Sequence, residues 1–586
     1  MEDRPRRYKD LIAPGLVFLA GSALFLAYFI QYVLNSPFAR VPMVDGQYYW
    51  LMAYDAVMLK KGLPPVFFGA PAYPFLLMGL MALAGPRLAL VYIVQALLFM
   101  GTALLCFDTA RRLFSRTAAL AAAVLVLLYG PLAFYSLKVL PDCLGVFLLA
   151  LYVNLWLRRG FSRTVAGQSL IGIIAATGIL CRGQITPVIV LTFLWGFSHY
   201  STRETKPRKL VPVIFFLIFF TLTLLPWALY MKHNTGRLTI FLPNTGLTLW
   251  EGNNPAAQGT YARVLGRADN ISDRVPDMIA SASEALGRKV DVWEADRYFR
   301  GRALSFITKH PGRFALLLLQ KLRLILWPRE VHDIFSLPAE ARTYTPLLLF
   351  FFAGFGLLLP LSCAGAYDWL RNPEADRREM VFLLLAAAGV CATLVVFFVN
   401  ARYRLLLLPA LAPLAGNGFA ALIRWFKAGK IFPFLFTLIG VLILLGIQAA
   451  PGGPGAGPDY RASEAKALAQ SGNQDKALQI LSDLVRENPD HADTVNSLTV
   501  LCLWQGDLAG ASQYARKLAS MPGFEEEGDH FLWLIGRIRE VFLLEEGARK
   551  ILPTEAYHAF LDESAEAYFQ KKRNAKRINP NESAQE

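Results

Sequence analysis

The chain has 586 residues, 55% hydrophobic and 18% charged, with a mean hydropathy of +0.39 and a net charge of +15. Soluble globular chains average about 45–50% apolar and about 25% charged residues, so an ordinary soluble domain is excluded and a membrane protein is implied. Residues from 451 on carry a net −6, which leaves +21 on residues 1–450, in short loops between apolar segments. Charge so placed sets membrane orientation; it argues against a nucleic-acid partner.

In chain order, the first apolar run, 11–30, is long enough to span and is followed by no A-x-A cleavage site, so it reads as a retained anchor rather than a signal peptide. A spanning helix needs about 20 apolar residues. The candidates are 12–34, 88–106, 117–136, 141–157, 166–181, 185–199, 211–231, 346–368, 380–400, 403–422 and 431–449, eleven in all. The apolar stretch 72–84 is too short to cross and reads as interfacial or re-entrant. If the eleven alternate, the basic segments RPRRYK (4–9), RRLFSR (111–116), RRGFSR (158–163), RETKPRK (203–209), RNPEADRR (371–378) and RWFKAGK (424–430) fall on one side. By the positive-inside rule that side is cytoplasmic. The N-terminus is then inside. The loops 35–87 and 232–345 and everything after 450 lie outside, which for a bacterial inner-membrane protein is the periplasm.

On the expected outer face stands VDGQYYW (44–50). Tyr48, Tyr49 and Trp50 suit an interfacial aromatic belt. Asp45 reads either as a turn residue before Gly46 or as a functional acid. Four cations defy the charge bias: Lys138 in FYSLKVLPD, Arg182 in GILCRGQITP, and Arg402 and Arg404 in VNARYRLLLLP. Alone, each would be a side chain snorkelling to headgroups. Three loops carrying such cations to one surface suggest a shared anionic target, and Arg is the better bidentate phosphate ligand. Asp142 opens a spanning helix, as a helix cap or as a functional near-membrane acid. No P-loop, Rossmann fingerprint or HExxH occurs among only seven His, and the six Cys lack CxxC spacing. His332 and Asp333 form at most a weak metal pair. No cofactor is predicted; a divalent metal has no supporting ligand set.

Taken in order, VDGQYYW, APAYPFLLMGLMALAG, LLYGPLAFYSLKVLPDCLGVFLLAL, GILCRGQITPVIVL, LWEGNNPAAQGTY and RYRLLLLPALAPLAG resemble bacterial membrane glycosyltransferases of the GT-C superfamily. That group contains the protein O-mannosyltransferases and the lipid A aminoarabinose transferase (glycosyltransferase family 39 type). The resemblance covers roughly residues 10–425. It implies a helical membrane bundle with an external active site and a sugar donor carried on a polyprenyl or dolichyl phosphate. It also implies a catalytic Asp in the first loop, matched by Asp45. Arg182, Arg402, Arg404 and Asp142 match further family positions, and Gly252, Asn253, Asn254 and Pro255 match a G-N-N-P in the large loop. Several relatives carry Asp-Glu in the first loop where this chain has Asp45-Gly46, which weakens any metal site carried over from them. The chemistry agrees. A carboxylate can take the proton of an attacking hydroxyl or amine, and a departing lipid phosphate needs fixed cations more than an acid. Asp45 is therefore read as the general base of an inverting transfer, with Lys138, Tyr49, Asp142, Arg182, Arg402, Arg404, Asn253 and Asn254 binding substrate.

PGGPGAGPDY (451–460) reads as a linker. Beyond it, Gly472 and Gly506 stand 34 residues apart, as do Ala477 and Ala511, the tetratricopeptide period. Helical stretches near 529–549 and 554–575 are expected to complete the array, and KKRNAKR reads as a solvated tail. The expected architecture is all-α: a polytopic bundle of about eleven spanning helices (1–450), a linker (451–460) and a periplasmic helical-repeat domain (461–586) that recruits a protein or glycan acceptor. The competing reading is a lipid-linked-sugar transporter or an envelope assembly scaffold. A transporter would favour inverted repeats with broken helices near mid-membrane, and no such symmetry is seen.

Overall fold

A computed structural model describes residues 4–67, 69–200, 206–261, 264–265, 271–331, 335–372, 376–449, 458–521 and 524–544. Among them every named element is a helix, and the only extended pairing is an isolated bridge between Tyr129 and Ala353. The chain is all-α. His332, Asp333, the 554–575 stretch and the basic tail lie outside the described residues, as does most of the linker.

The described chain divides into two compact units, one ending at residue 449 and one beginning at 458. In the first, six helices are long and apolar enough to cross a membrane: Ile12–Asn35, Leu88–Leu113, Val211–Thr235, Arg377–Val396, Ala401–Lys427 and Ile431–Ala449. Their outward faces are apolar. Phe432 is 82% exposed and Phe436 73%, which water penalises and a lipid chain does not. This is a membrane protein.

The other expected spans are helical but shorter. Arg116–Leu127, Asp142–Trp156 and Val165–Cys181 fall below spanning length, as does Ala72–Ala84. The expected span 117–136 breaks after Leu127 and resumes as Gly130–Tyr135. The expected span 346–368 breaks between a short helical turn, Pro346–Phe350, and the helix Phe355–Arg371. The two breaks satisfy each other: Gly130 N donates to Ala353 O at 2.9 Å, and Ala353 N donates to Leu128 O at 3.0 Å. Non-helical backbone at membrane depth is tolerated where protein supplies its partners. Gly130 is required at the crossing, because a Cβ there would lie 2.4 Å from Phe351 O.

Ion pairs sort the helix ends. Asp108 meets Arg112 and Arg158, Arg159 meets Asp376 and Glu379, and Arg424 meets Asp368. The arginines come from the basic segments, and the pairs collect at one end of the bundle. At the opposite end, Gln95 Nε2 donates to Ser136 O and Lys138 O, and Arg182 meets Asp142. The candidate site residues belong to this second end.

In the second unit, Pro458–Gln470 packs on Gln474–Glu487 and Ala492–Trp504 on Leu508–Ala519, with Glu525–Leu544 against the last. Gly472 (φ 92°) and Gly506 (φ 75°) make equivalent turns in the two pairs, which glycine adopts without steric cost. A core including Ala477, Leu481, Leu498, Leu501, Ala511 and Ala515 joins the helices.

Candidate active site

Asp45 is the first residue of the helix Asp45–Val57. Val44 before it holds φ 49° and ψ −115°. A β-branched residue at positive φ is an outlier, and such strain persists only where the surrounding structure over-determines it. The Asp45 carboxylate makes no cap to its own helix. Its Oδ2 instead accepts from Arg402 at 2.8 Å, across 357 residues. The turn reading of Asp45 does not describe this geometry: a turn acid bonds its own backbone two residues on.

Arg402 lies in the first turn of Ala401–Arg404, which Asn400 caps by accepting from Tyr403 N at 2.9 Å. Its guanidinium lies 5.9 Å from the Tyr403 ring centroid. Arg182 approaches the same ring at 5.3 Å. Arg182 caps the helix Val165–Cys181 and pairs with Asp142 Oδ1 at the start of Asp142–Trp156. Asp142 Oδ2 is buried with no hydrogen-bond partner, and an orphan buried acceptor carries a desolvation cost that a donor would relieve. Tyr49 is buried close by. Burial and then Asp45 raise its phenol above the usual range, while Arg182 and Arg402 pull the other way. Asp45, Tyr49, Asp142, Arg182, Arg402 and Tyr403 thus form one cluster, two acids and two guanidinium groups about a shared aromatic ring.

Other expected residues are held elsewhere. Lys138 Nζ donates to both Glu340 oxygens, at 2.8 and 2.7 Å. It sits among the rings of Tyr32, Phe38, Phe134 and Phe335, at 4.5 to 5.1 Å. Side-chain exposure is 2% for Lys138 and 0% for Glu340, so this ammonium is enclosed rather than offered to a phosphate. Arg404 donates to Trp327 O at 2.6 Å, Arg329 O at 2.7 Å and Glu330 Oε2 at 2.9 Å. It clamps a loop and is 1% exposed. Asn253 and Asn254 fasten backbone. Asn253 Nδ2 donates to Leu249 O and Val396 O, its Oδ1 accepts from Lys321 at 2.9 Å, and Asn254 bonds Trp250 O, Glu251 O and Ala256 N. Lys321 also donates to Val395 O, and burial pushes its ammonium down to about 8. These four spend their described hydrogen bonds away from the Asp45 cluster. Asn253 nonetheless ties the large loop to the end of the helix that leads into Asn400 and Arg402.

Sequence reasoning passed over Tyr403, Val44, Asn400, Lys321, Glu330 and Glu340. Only Tyr403 carried a usable signal, standing between the two arginines of ARYR. Among the described residues no group of three His, Cys, Asp or Glu side chains is placed to hold a metal.

Residues 68–228 match the family model described as dolichyl-phosphate-mannose-protein mannosyltransferase. This is a family within the superfamily the sequence motifs resemble. The mannosyltransferase match takes in Lys138, Asp142 and Arg182 and leaves Asp45 and Arg402 outside. No curated protein sequence matches the chain. The archaeal oligosaccharyltransferase AglB from Archaeoglobus fulgidus, solved with an inhibitory peptide and a dolichol-phosphate, is similar at 14% identity, TM-score 0.41, over 79% of this chain and 56% of that one. ArnT from Cupriavidus metallidurans, solved bound to undecaprenyl phosphate, is similar at 15% identity, TM-score 0.40, over 86% of this chain and 80% of that one. This chain therefore spans little more than half the length of the oligosaccharyltransferase it matches. At these scores the likeness bears on no individual residue.

Proposed function

We propose that the protein is an integral-membrane glycosyltransferase that moves a sugar from a polyprenyl-phosphate carrier to an acceptor at the periplasmic face of a bacterial inner membrane. The observation that supports it best is Asp45, set on strained backbone, facing Arg402 rather than its own helix, with Arg182 across the Tyr403 ring. The mannosyltransferase family match over 68–228 supports the reaction class.

The chemistry follows from the groups present. An acceptor O–H or N–H attacks the anomeric carbon, and the C–O bond to the carrier phosphate breaks on the opposite face, inverting the centre. The bonding pair leaves with the phosphate, and the acceptor proton passes to Asp45. Arg402 and Arg182 face the charge that grows on the leaving phosphate. A guanidinium has five N–H donors in a fixed fork, so an arginine that serves a carboxylate keeps donors for a phosphate. A phosphate arriving on those donors shares Arg402 with Asp45 and loosens the hold on the carboxylate, which leaves it able to take a proton. Lys138, Arg404, Asn253 and Asn254 support the site from outside it. The helix pairs after residue 458 serve as a tetratricopeptide-like module that holds the acceptor.

The test uses purified protein in liposomes with a polyprenyl-phosphate sugar. Asp45→Asn is expected to bind donor and lose transfer by about 10²–10⁴. Arg402→Ala is expected to weaken donor use, with each charge-assisted contact contributing about 1.5–3 kcal/mol. Wild-type turnover in Asp45→Asn would remove Asp45 as the base.

A further inference from the structure

A cleft rimmed by cations lies on the large loop, none of its lining residues belonging to the Asp45 cluster. It is an open cleft of about 530 Å³ whose lining includes Trp250, Arg297, Tyr298, Arg302, Lys309 and His310, and no acidic side chain. Most of these residues come from one helix, Val292–Lys309. Gly301 lies in the lining, where a Cβ would meet nothing within 4 Å, so the cleft stays open above it.

The pairing pattern makes this cleft unusual. Nearby arginines outside the lining have partners: Arg288 with Glu294, Arg300 with Asp296, Arg274 with Glu251, and Arg313 with Pro255 O. Among the described residues, Arg297, Arg302 and Lys309 have no carboxylate at ion-pair distance. Arg302 lies 4.4 Å over the Trp250 ring and 5.8 Å from Tyr298, which fixes its guanidinium plane without using its N–H donors on an acid. Arg297 feels Glu294 of its own helix, Arg302 and Lys309 stand exposed, and a multiply charged anion in the cleft would give the three a shared counter-charge. Oriented arginine forks with a lysine beside them suit phosphate oxygens.

We propose that this cleft binds a phosphomonoester or diphosphate group, at a site separate from the donor phosphate at Arg402. Trp250 and Pro255 in its wall bracket Gly252-Asn253-Asn254. Asn253 bonds Val396 O, and a Cβ at Gly252 would lie 2.0 Å from Phe397 O. The cleft wall is thus joined, through Gly252 and Asn253, to the backbone that leads into Asn400 and Arg402.

The test is local and does not depend on transfer activity. Full-length protein in phosphatidylcholine nanodiscs is treated with phenylglyoxal, and arginine modification is read site by site by mass spectrometry. Inorganic diphosphate is expected to protect Arg297 and Arg302 saturably and to leave Arg288, paired on the same loop, unprotected. Lys309→Gln with His310→Gln is expected to raise the half-protecting concentration about tenfold, the equivalent of one lost charged contact. Asp45→Asn should protect like wild type, so loss of the transferase reading would leave this result standing. If phosphatidic acid in the disc protects without diphosphate, the group comes from a membrane headgroup; if it does not, it comes from a phosphorylated substrate outside the bilayer. Equal modification of Arg297 and Arg302 with and without diphosphate, or protection no greater than at Arg288, would overturn the proposal.

Discussion

Lys138 and Glu340 show how the same sequence signal can come from two physical causes. Lys138 and Arg404 broke the charge bias as plainly as Arg182 and Arg402 did. The structure gives Lys138 and Arg404 their own acids, Glu340 at 202 residues' distance and Glu330 at 74. No local pattern announces such partners, so sequence could single out the cations but could not tell an enclosed one from one facing the cluster. Asp45 and Arg402 were legible because an acid and a cation near one membrane surface have few other reasons to be there. Their contact was not legible, nor was the orphan oxygen of Asp142. Removing one member of a buried pair leaves an uncompensated charge, at a cost of about 3–5 kcal/mol, whereas removing both is often tolerated. Lys138→Met is therefore expected to lower thermal stability sharply, and Lys138→Met with Glu340→Gln to restore much of it. If Lys138→Met kept full stability and lost only donor binding, Lys138 would be a phosphate ligand after all.

At the scale of elements, periodicity and length found the helices, and backbone pairing decided their ends. Gly130-Pro131 and Gly354 mark where the apolar runs at 117–136 and 346–368 break, but nothing in either run says that each break is satisfied by the other. The large loop was legible as a block bearing G-N-N-P. Its task is visible only when Asn253 is seen fastening the block to Val396. Gly252→Ala tests that fastening. The added Cβ collides with Phe397 O, five residues before Arg402. A displacement near 1 Å at a reacting group can cost about 10² in rate. We expect turnover to fall by about that factor while the chain still inserts and binds donor. Unchanged turnover would mean that the loop and the Arg402 turn move independently.

For the whole molecule, the described residues fall into two compact units, one ending at 449 and one beginning at 458, and the second has a core of its own. The repeat of 34 residues was readable because Gly472 and Gly506 mark turns that need positive φ. No partner for these helix pairs was readable, because a binding face depends on side chains that no period constrains. Cutting the chain after residue 450 is expected to leave the membrane unit folded and able to bind donor lipid. Transfer to the natural acceptor should fall, because tethering holds a partner at about millimolar effective concentration. Thermal stability, oligomer size and transfer of the two forms check this. A truncated form that transfers at the full rate but melts early would make the tail a brace rather than a recruiter.

The bond between Asp45 and Arg402 also has a history in time. Its two ends are 357 residues apart, so the acid is inserted early and its counterpart leaves the ribosome only after most of the membrane unit has been made. Until then Asp45 stands without that arginine. A chain interrupted anywhere before residue 402 has the acid and lacks this cation. The cluster around Asp45 comes into being only when the membrane unit is nearly complete.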